Sequence, residues 1–157
     1  EGVELRELGA FGRVGRDPRG RTISVVHLAL ARRPALRVEA GDDAAAARWF
    51  SLHAPPPLAF DHGEVLAAAR ERLRLDLCRS AAAFELLPER FTLGELRRLY
   101  QVVMGRLLEA RRFRRRALAT GLLEEAGRGG RERLWRFDHE AWRRRRGPAF
   151  HLPLGED

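Results

Sequence analysis

Lysine is absent from these 157 residues, so all 30 basic side chains are arginine. Cysteine is almost absent as well, and the lone Cys78 cannot close an internal disulfide; this excludes a disulfide-stapled secreted scaffold and points to the cytoplasm. No apolar run approaches the roughly 18 residues a membrane span needs, and the opening EGVELRELG has no signal-peptide core, so no membrane partner is expected. The chain opens on Glu1 rather than methionine, which reads as a fragment or processed piece of a longer protein. G-x-S-x-G, H-E-x-x-H and paired cysteines are all lacking. Neither a nucleophile elbow nor a common metal site is signalled, and no catalytic residue, metal ligand or cofactor is assigned.

What is present begins with charge. The formal net charge is +8, and fixed positive charge favours a polyanionic partner because it releases counterions from phosphates. The chain is also crowded with alanine, so a compositional bias accounts for part of the arginine excess. Position is more telling than the total. Residues 1–80 hold 13 arginines against 11 acidic residues, whereas residues 81–157 hold 17 against 11. Hydrophobic residues make up 45% of the chain, enough to bury a core.

In the first half, TISVVHLAL at 22–30 is a β-rich run with little alternation, the pattern of a strand buried on both faces. The loop GRVGRDPRGR precedes it, with Gly, Pro and Asp at turn-favouring positions. RWFSL at 48–52 predicts a shorter strand after the loop AGDDAAA. Past Pro55, Pro56 and Pro57, the pair Asp61 and Glu64 predicts a capping box. Leu66, Ala69, Leu73 and Leu77 recur at helical spacing to about Arg79, an apolar stripe to lay against a sheet. His27, within an apolar run, reads as a core histidine. His62 beside Asp61 is the best acid–base candidate, although Asp61 reads more simply as the cap. Cys78 reads as a small hydrophobe.

Residues 80–91 read as a connector with a short helical turn in AAAFELL, dividing the chain into units 1–80 and 81–157. Thr92 and Glu95 form a second capping box, followed by Leu93, Leu96, Tyr100 and Val103 on one face and a stop at Gly105. A second helix spans EARRFRRRALAT at 109–120, closed by Gly121. Two short helices joined by a brief turn are the core of a helix-turn-helix. LLEEA and RLWRFD flank GRGGR, a β-hairpin with a basic tip in the place of a wing. The tail HEAWRRRRGPAFHLPL reads as a last short helix and a final strand, or as a solvated basic tail.

At about 100° per residue, Phe113, Ala117 and Leu118 share one side of the second helix, while Arg111, Arg112, Arg115 and Arg116 spread over the other. Arg114 falls near the apolar side, where pairing with Glu95 is expected. A solvated charged face is the commoner fate of such a run. Here Glu109 is the single acid near these arginines, which favours an arginine face left for the major groove of double-stranded DNA, with Arg128, Arg131 and Arg133 of the wing reaching the backbone or minor groove. A phosphate nest in GRGG is the weaker alternative, for lack of a strand-to-helix context.

These residues carry a family resemblance. GRDPRGRTISVVHLAL, GDDAAAARWFSL and LAFDHGEVL resemble the later part of the Nudix-like domain of ADP-ribose pyrophosphatase relatives. FELLPERFTLGELRRLYQVVMGR, RRFRRRALATGLLEE and RLWRFD resemble the winged-helix domain of the Nudix-related transcriptional regulators of NAD metabolism. The resemblance implies an α+β fold, a partial Nudix-like α/β sandwich followed by a winged helix-turn-helix. It also implies a homodimer that holds DNA until ADP-ribose or a related nucleotide releases it, with Arg112, Arg115 and Arg116 as recognition-helix contacts. The Nudix box G-x5-E-x7-R-E-x2-E-E-x-G, whose glutamates hold metals, is absent, so hydrolysis is not expected. The alternative is an ADP-ribose pyrophosphatase whose box lies outside this chain. Arg16, Asp17 and Arg19 suit a nucleotide, since arginines pair well with pyrophosphate, with turn geometry and a local salt bridge as their structural alternative.

Overall fold

A computed structural model of the chain describes residues 5–32 and 47–145 of the 157. It divides into two compact units, Glu1–Arg72 and Leu73–Asp157. No helix among the described residues is long and apolar enough to cross a membrane. The loop AGDDAAA and the final strand expected in the tail lie outside the described residues.

The first unit is an antiparallel hairpin of β1 (Leu5–Phe11) and β2 (Ser24–Ala29), followed by most of α1 (His62–Arg79). β1 was not foreseen from the sequence. β2 is the strand expected at 22–30, but it is not buried on both faces. Its residues alternate, with Val26 and Leu28 half-buried while Val25, His27 and Ala29 are exposed. His27 is therefore a surface side chain and not a core histidine. Among the described residues β1 and β2 form a two-stranded sheet, and the alternation leaves Val25, His27 and Ala29 together on its exposed face. The strand expected at 48–52 does not form either. Ser51 and Ala54 close a local bridge, and no neighbouring strand among the described residues takes up Trp49 and Phe50.

The capping box expected at Asp61 and Glu64 is replaced by long-range pairing. Both carboxylate oxygens of Asp61 accept from the Arg16 guanidinium at 2.6 and 2.8 Å, and Arg16 also donates to Ser24 Oγ at 2.8 Å. Glu64 accepts from Arg13 at 2.8 Å. The Arg16–Asp61 pair is buried, with side-chain exposures of 6% and 4%. A bidentate guanidinium–carboxylate pair out of water outbids a single backbone N–H, which explains why a local capping rule failed here. α1 otherwise follows the expected span, and Leu66, Ala69 and Leu73 are half-buried along it.

The second unit holds every fully buried apolar side chain among the described residues, from Leu77 onward. Its elements are the end of α1, α2 (Ala82–Glu85), α3 (Leu93–Met104), α4 (Ala110–Ala119), β3 (Leu123–Gly129), β4 (Glu132–Phe137) and α5 (His139–Arg145). The expected connector at 80–91 is core rather than linker. Ala82, Ala83 and Phe91 are buried, Phe84 stacks on Phe137 at 3.9 Å between ring centroids, and Phe91 exchanges backbone bonds of 2.9 and 2.8 Å with Trp135. That exchange makes residue 91 a one-residue third strand beside the hairpin.

α3 matches its sequence signals. The Thr92 hydroxyl accepts from Glu95 N at 3.1 Å, the Glu95 carboxylate accepts from Thr92 N at 2.7 Å, and Gly105 ends the helix in a left-handed cap. Leu96, Tyr100 and Val103 are buried along one face. Tyr100 donates its hydroxyl to the Leu77 carbonyl at 2.7 Å, tying the end of α1 to α3, and burial pushes its hydroxyl above the usual phenol range. The hairpin turns at Gly130 and Arg131, where Gly130 takes a φ of 62° that suits a two-residue connection and would strain a side chain.

Two outcomes test this account. Tyr100→Phe strips the Leu77 carbonyl of its donor and should lower unfolding free energy by about 1 kcal/mol in urea titration. The second concerns acid. The Arg19 side chain holds the Asp17 carboxyl down at about 2, and the Arg16 side chain likewise depresses that of Asp61. A depressed carboxyl stabilises the fold above its ordinary pKa of 3.8, and this contribution is lost as pH falls toward about 2. Thermal midpoints measured across that window should fall, and Asp61→Asn should flatten part of the dependence; an unchanged profile in Asp61→Asn contradicts the role given to the buried pair.

Candidate nucleic-acid interface

α4 carries five arginines in ten residues and buries only Phe113 and Ala117. Phe113 faces α3, where its ring lies 5.7 Å from that of Tyr100. With that edge fixed, the 100° step places Arg111, Arg112 and Arg115 on the outward face, and all three are exposed. The guanidiniums of Arg112, Arg114 and Arg115 make no ion pair or side-chain hydrogen bond among the described residues. Arg114 is thus exposed rather than paired with Glu95, because the Glu95 carboxylate is occupied by Thr92. Arg116 sits on the flank, half-buried and engaged within the protein.

The start of α4 is built from its neighbours. Gln101 of α3 accepts from Leu108 N through Oε1 at 3.1 Å, and Leu108 is buried, which sets the turn between the helices. Glu109 then caps α4, accepting from Arg111 N at 2.8 Å and Arg112 N at 2.6 Å. These amides hold its carboxyl below the usual carboxylate range. The cap was not recognised in the sequence, where Glu109 counts only as the acid beside the arginine run; a charged residue just before such a run is the signal that was available.

The hairpin brings its own cations. Arg128 and Arg131 are exposed near the turn and without an ion pair among the described residues, whereas Arg133 pairs with Glu125 at 3.1 Å and Arg136 with Glu124 at 2.7 Å. Two of the three arginines expected to act at the wing are therefore unpaired, and the third is held across the strands. A bulge between Glu125 and Arg128 lets β3 twist just before the tip. α5 adds Arg143, Arg144 and Arg145, all exposed, which the sequence reading left in the tail.

The three residues considered for a nucleotide lie in the first unit. Arg16 is buried with its donors taken by Asp61 and Ser24. Asp17 and Arg19 form a local pair at 2.8 Å, and the Arg19 guanidinium lies 5.2 Å from the Phe60 ring centroid. Together with Thr22, Ser24, Phe60 and His62 they line a cavity of about 130 Å³. No group of three or more His, Cys, Asp or Glu side chains among the described residues stands together as a metal site.

Comparison with known proteins agrees with this geometry. Residues 83–133 match the family of the NrtR DNA-binding winged helix domain. The ADPR responsive transcriptional repressor NtrR of Acinetobacter baylyi is 33% identical over 123 residues, 77% of this chain and 49% of that protein, so the chain spans about half the length of this relative. Among solved structures, Shewanella oneidensis NrtR superposes with a TM-score of 0.70 at 27% identity, covering 95% of this chain and 68% of that one. The same protein complexed with a 27mer DNA gives 0.67 at 30% identity, covering 85% and 64%. A MutT/nudix family protein from Enterococcus faecalis gives 0.62 at 23% identity over 85% and 60%, a likeness of fold. The expected combination of Nudix-like strands and helix with a winged helix is borne out.

The division of labour on α4 is testable by stability alone. Arg115→Ala removes an exposed, unpaired side chain and should change unfolding free energy by no more than about 0.5 kcal/mol. Phe113→Ala should cost roughly 3–5 kcal/mol. Comparable losses for the two would contradict the assignment of one face to the core and the other to a partner.

Proposed function

We propose, from the premise that this chain carries the winged helix domain of the NrtR family at residues 83–133, that it is a sequence-specific DNA-binding transcriptional regulator. The observation that carries the reading is the outward face of α4, where Arg111, Arg112 and Arg115 stand exposed on the second helix of a helix-turn-helix. Such a helix enters the major groove, where arginine bonds bidentately to guanine, and the wing with Arg128 and Arg131 meets the backbone or minor groove. Arg116 and Arg133, engaged within the protein, take lesser parts. The reading is supported by the repressor NtrR and by the DNA complex of Shewanella NrtR.

The regulator acts as a homodimer on two half-sites about one helical turn apart, in the cytoplasm, and answers to ADP-ribose or a similar nucleotide of NAD metabolism. Responsiveness is supported by the likeness to NtrR, an ADPR responsive transcriptional repressor. Within the first unit Arg19 is the residue of the three best suited to such a ligand, being exposed at 77% of its side chain, while Arg16 is committed to Asp61. The activity proposed is binding and not hydrolysis, in keeping with the repressor relative.

Selection of bound duplexes from a random pool, then fluorescence anisotropy on the recovered site at two salt concentrations, tests the proposal. A palindrome bound well above background is expected, and Arg115→Ala should weaken it by about 1–3 kcal/mol and relax one position. Addition of ADP-ribose should release the site. Affinity that follows salt alone, with no recovered motif, overturns the specific-regulator reading.

A further inference from the structure

The carboxyl end of a helix leaves backbone carbonyls without partners and carries partial negative charge, so a helix that must hold one pose needs something at that end. In α4 the terminal carbonyl belongs to Thr120, the C-cap residue. The Arg145 guanidinium, from the last turn of α5, donates to it through Nη1. The same guanidinium covers Gly121, where an added Cβ would stand 3.0 Å from Nη2 and 3.1 Å from Nη1. Gly121 also takes a φ of 60°, a conformation that favours glycine, and a side chain there would press on the guanidinium.

α5 is itself fixed with respect to α4. Asp138 caps its start, accepting from Ala141 N at 2.8 Å, while Asp138 N donates to the Leu122 carbonyl at 2.9 Å. Leu122 N in turn donates to Thr120 Oγ1 at 3.2 Å. Ala141 and Trp142 are buried, which anchors α5 and carries Arg145, three residues beyond Trp142, to the end of α4. The chain of contacts closes on itself from Thr120 through Leu122 and Asp138 to α5 and back through Arg145.

We infer that Arg145 is a positioning residue for DNA recognition, locking the carboxyl end of α4 through Thr120 and Gly121 so that the arginine face keeps one register in the groove. The inference rests on the DNA-binding reading above. It separates Arg145 from Arg143, two residues earlier on the same helix, which is exposed and makes no ion pair or side-chain hydrogen bond among the described residues. A phosphate contact would act equally on all sequences and lower the salt slope, whereas a register lock acts on discrimination.

The test compares Arg145→Ala and Arg143→Ala in the full chain, each removing one charge from α5. Binding is measured on the selected duplex and on a random duplex over a salt series, and amide hydrogen exchange is followed at the end of α4. Arg145→Ala should reduce the ratio of selected to random affinity by roughly fivefold, the scale of a lost helix-end interaction, with an unchanged salt slope. Exchange at residues 118–121 should quicken. Arg143→Ala should leave both the ratio and the exchange at native values. Equal loss on both duplexes with a slope lowered by about one reassigns Arg145 to phosphate and overturns the lock. If Arg145→Ala fails to fold, Arg145→Lys carries the test; it keeps the charge but not the planar fork, and a ratio reduced by roughly half supports the lock while an unchanged ratio overturns it. A native chain that shows no duplex discrimination removes the proposed function, and exchange then decides the lock without DNA, faster in Arg145→Ala if it exists and unchanged if it does not.

Discussion

The second unit depends on how little of α4 is available for packing. Five of its ten residues are arginines, and burying any one of them unpaired would cost more than a helix of this length returns. Phe113 and Ala117 are therefore the side chains of α4 that are buried, and the Phe113 ring lies against Tyr100 of α3. A narrow apolar seam fixes rotation about the helix axis more sharply than a broad one, because any turn of the helix exchanges a buried phenylalanine for a guanidinium. The outward direction of Arg111, Arg112 and Arg115 follows from that seam.

The same constraint explains the polar hardware at both ends of α4. Close like charges along one helix face repel, and their repulsion is relieved only by solvent, salt or an anionic partner. Glu109 at the amino end offsets part of it and satisfies two amides, while at the carboxyl end Arg145 meets the exposed carbonyl of Thr120. In the hairpin the arginines nearest the body of the domain are neutralised across the strands by Glu124 and Glu125, and those near the turn are not. Among the described residues, exposed arginines without an ion pair thus include those on the outer face of α4 and those at the hairpin end.

Legibility in the sequence tracks the distance over which each feature is decided. The Thr92–Glu95 box, the Gly105 cap, the burial of Phe113 and Ala117 on α4 and the GRGG hairpin depend on residues a few positions apart, and each stands where the pattern put it. Asp61 obeyed Arg16, 45 residues away, instead of its own helix. Glu95 was unavailable to Arg114 because Thr92 had already claimed it. The burial of β2 depended on what packs over each face of its sheet, which β-propensity does not encode. On α4 the helical wheel placed Arg111, Arg112 and Arg115 outward as observed but exchanged the surroundings of Arg114, which is exposed, and Arg116, which is half-buried and engaged, and it gave no means of telling Arg133, paired across the hairpin, from Arg128 and Arg131.

The two units also differ in what holds them. In the second, aromatic and aliphatic side chains from six elements meet in a closed core. In the first, the buried groups among the described residues are the Arg16–Asp61 pair, and Leu5, Val14, Ile23, Val25, Trp49, Phe50 and Phe60 remain largely exposed. A buried ion pair recovers little beyond the desolvation of its charges, so it contributes geometry to the first unit more than free energy. In the function proposed above, the packed unit keeps the arginines of α4 in register, and the response to a small ligand falls to the first unit.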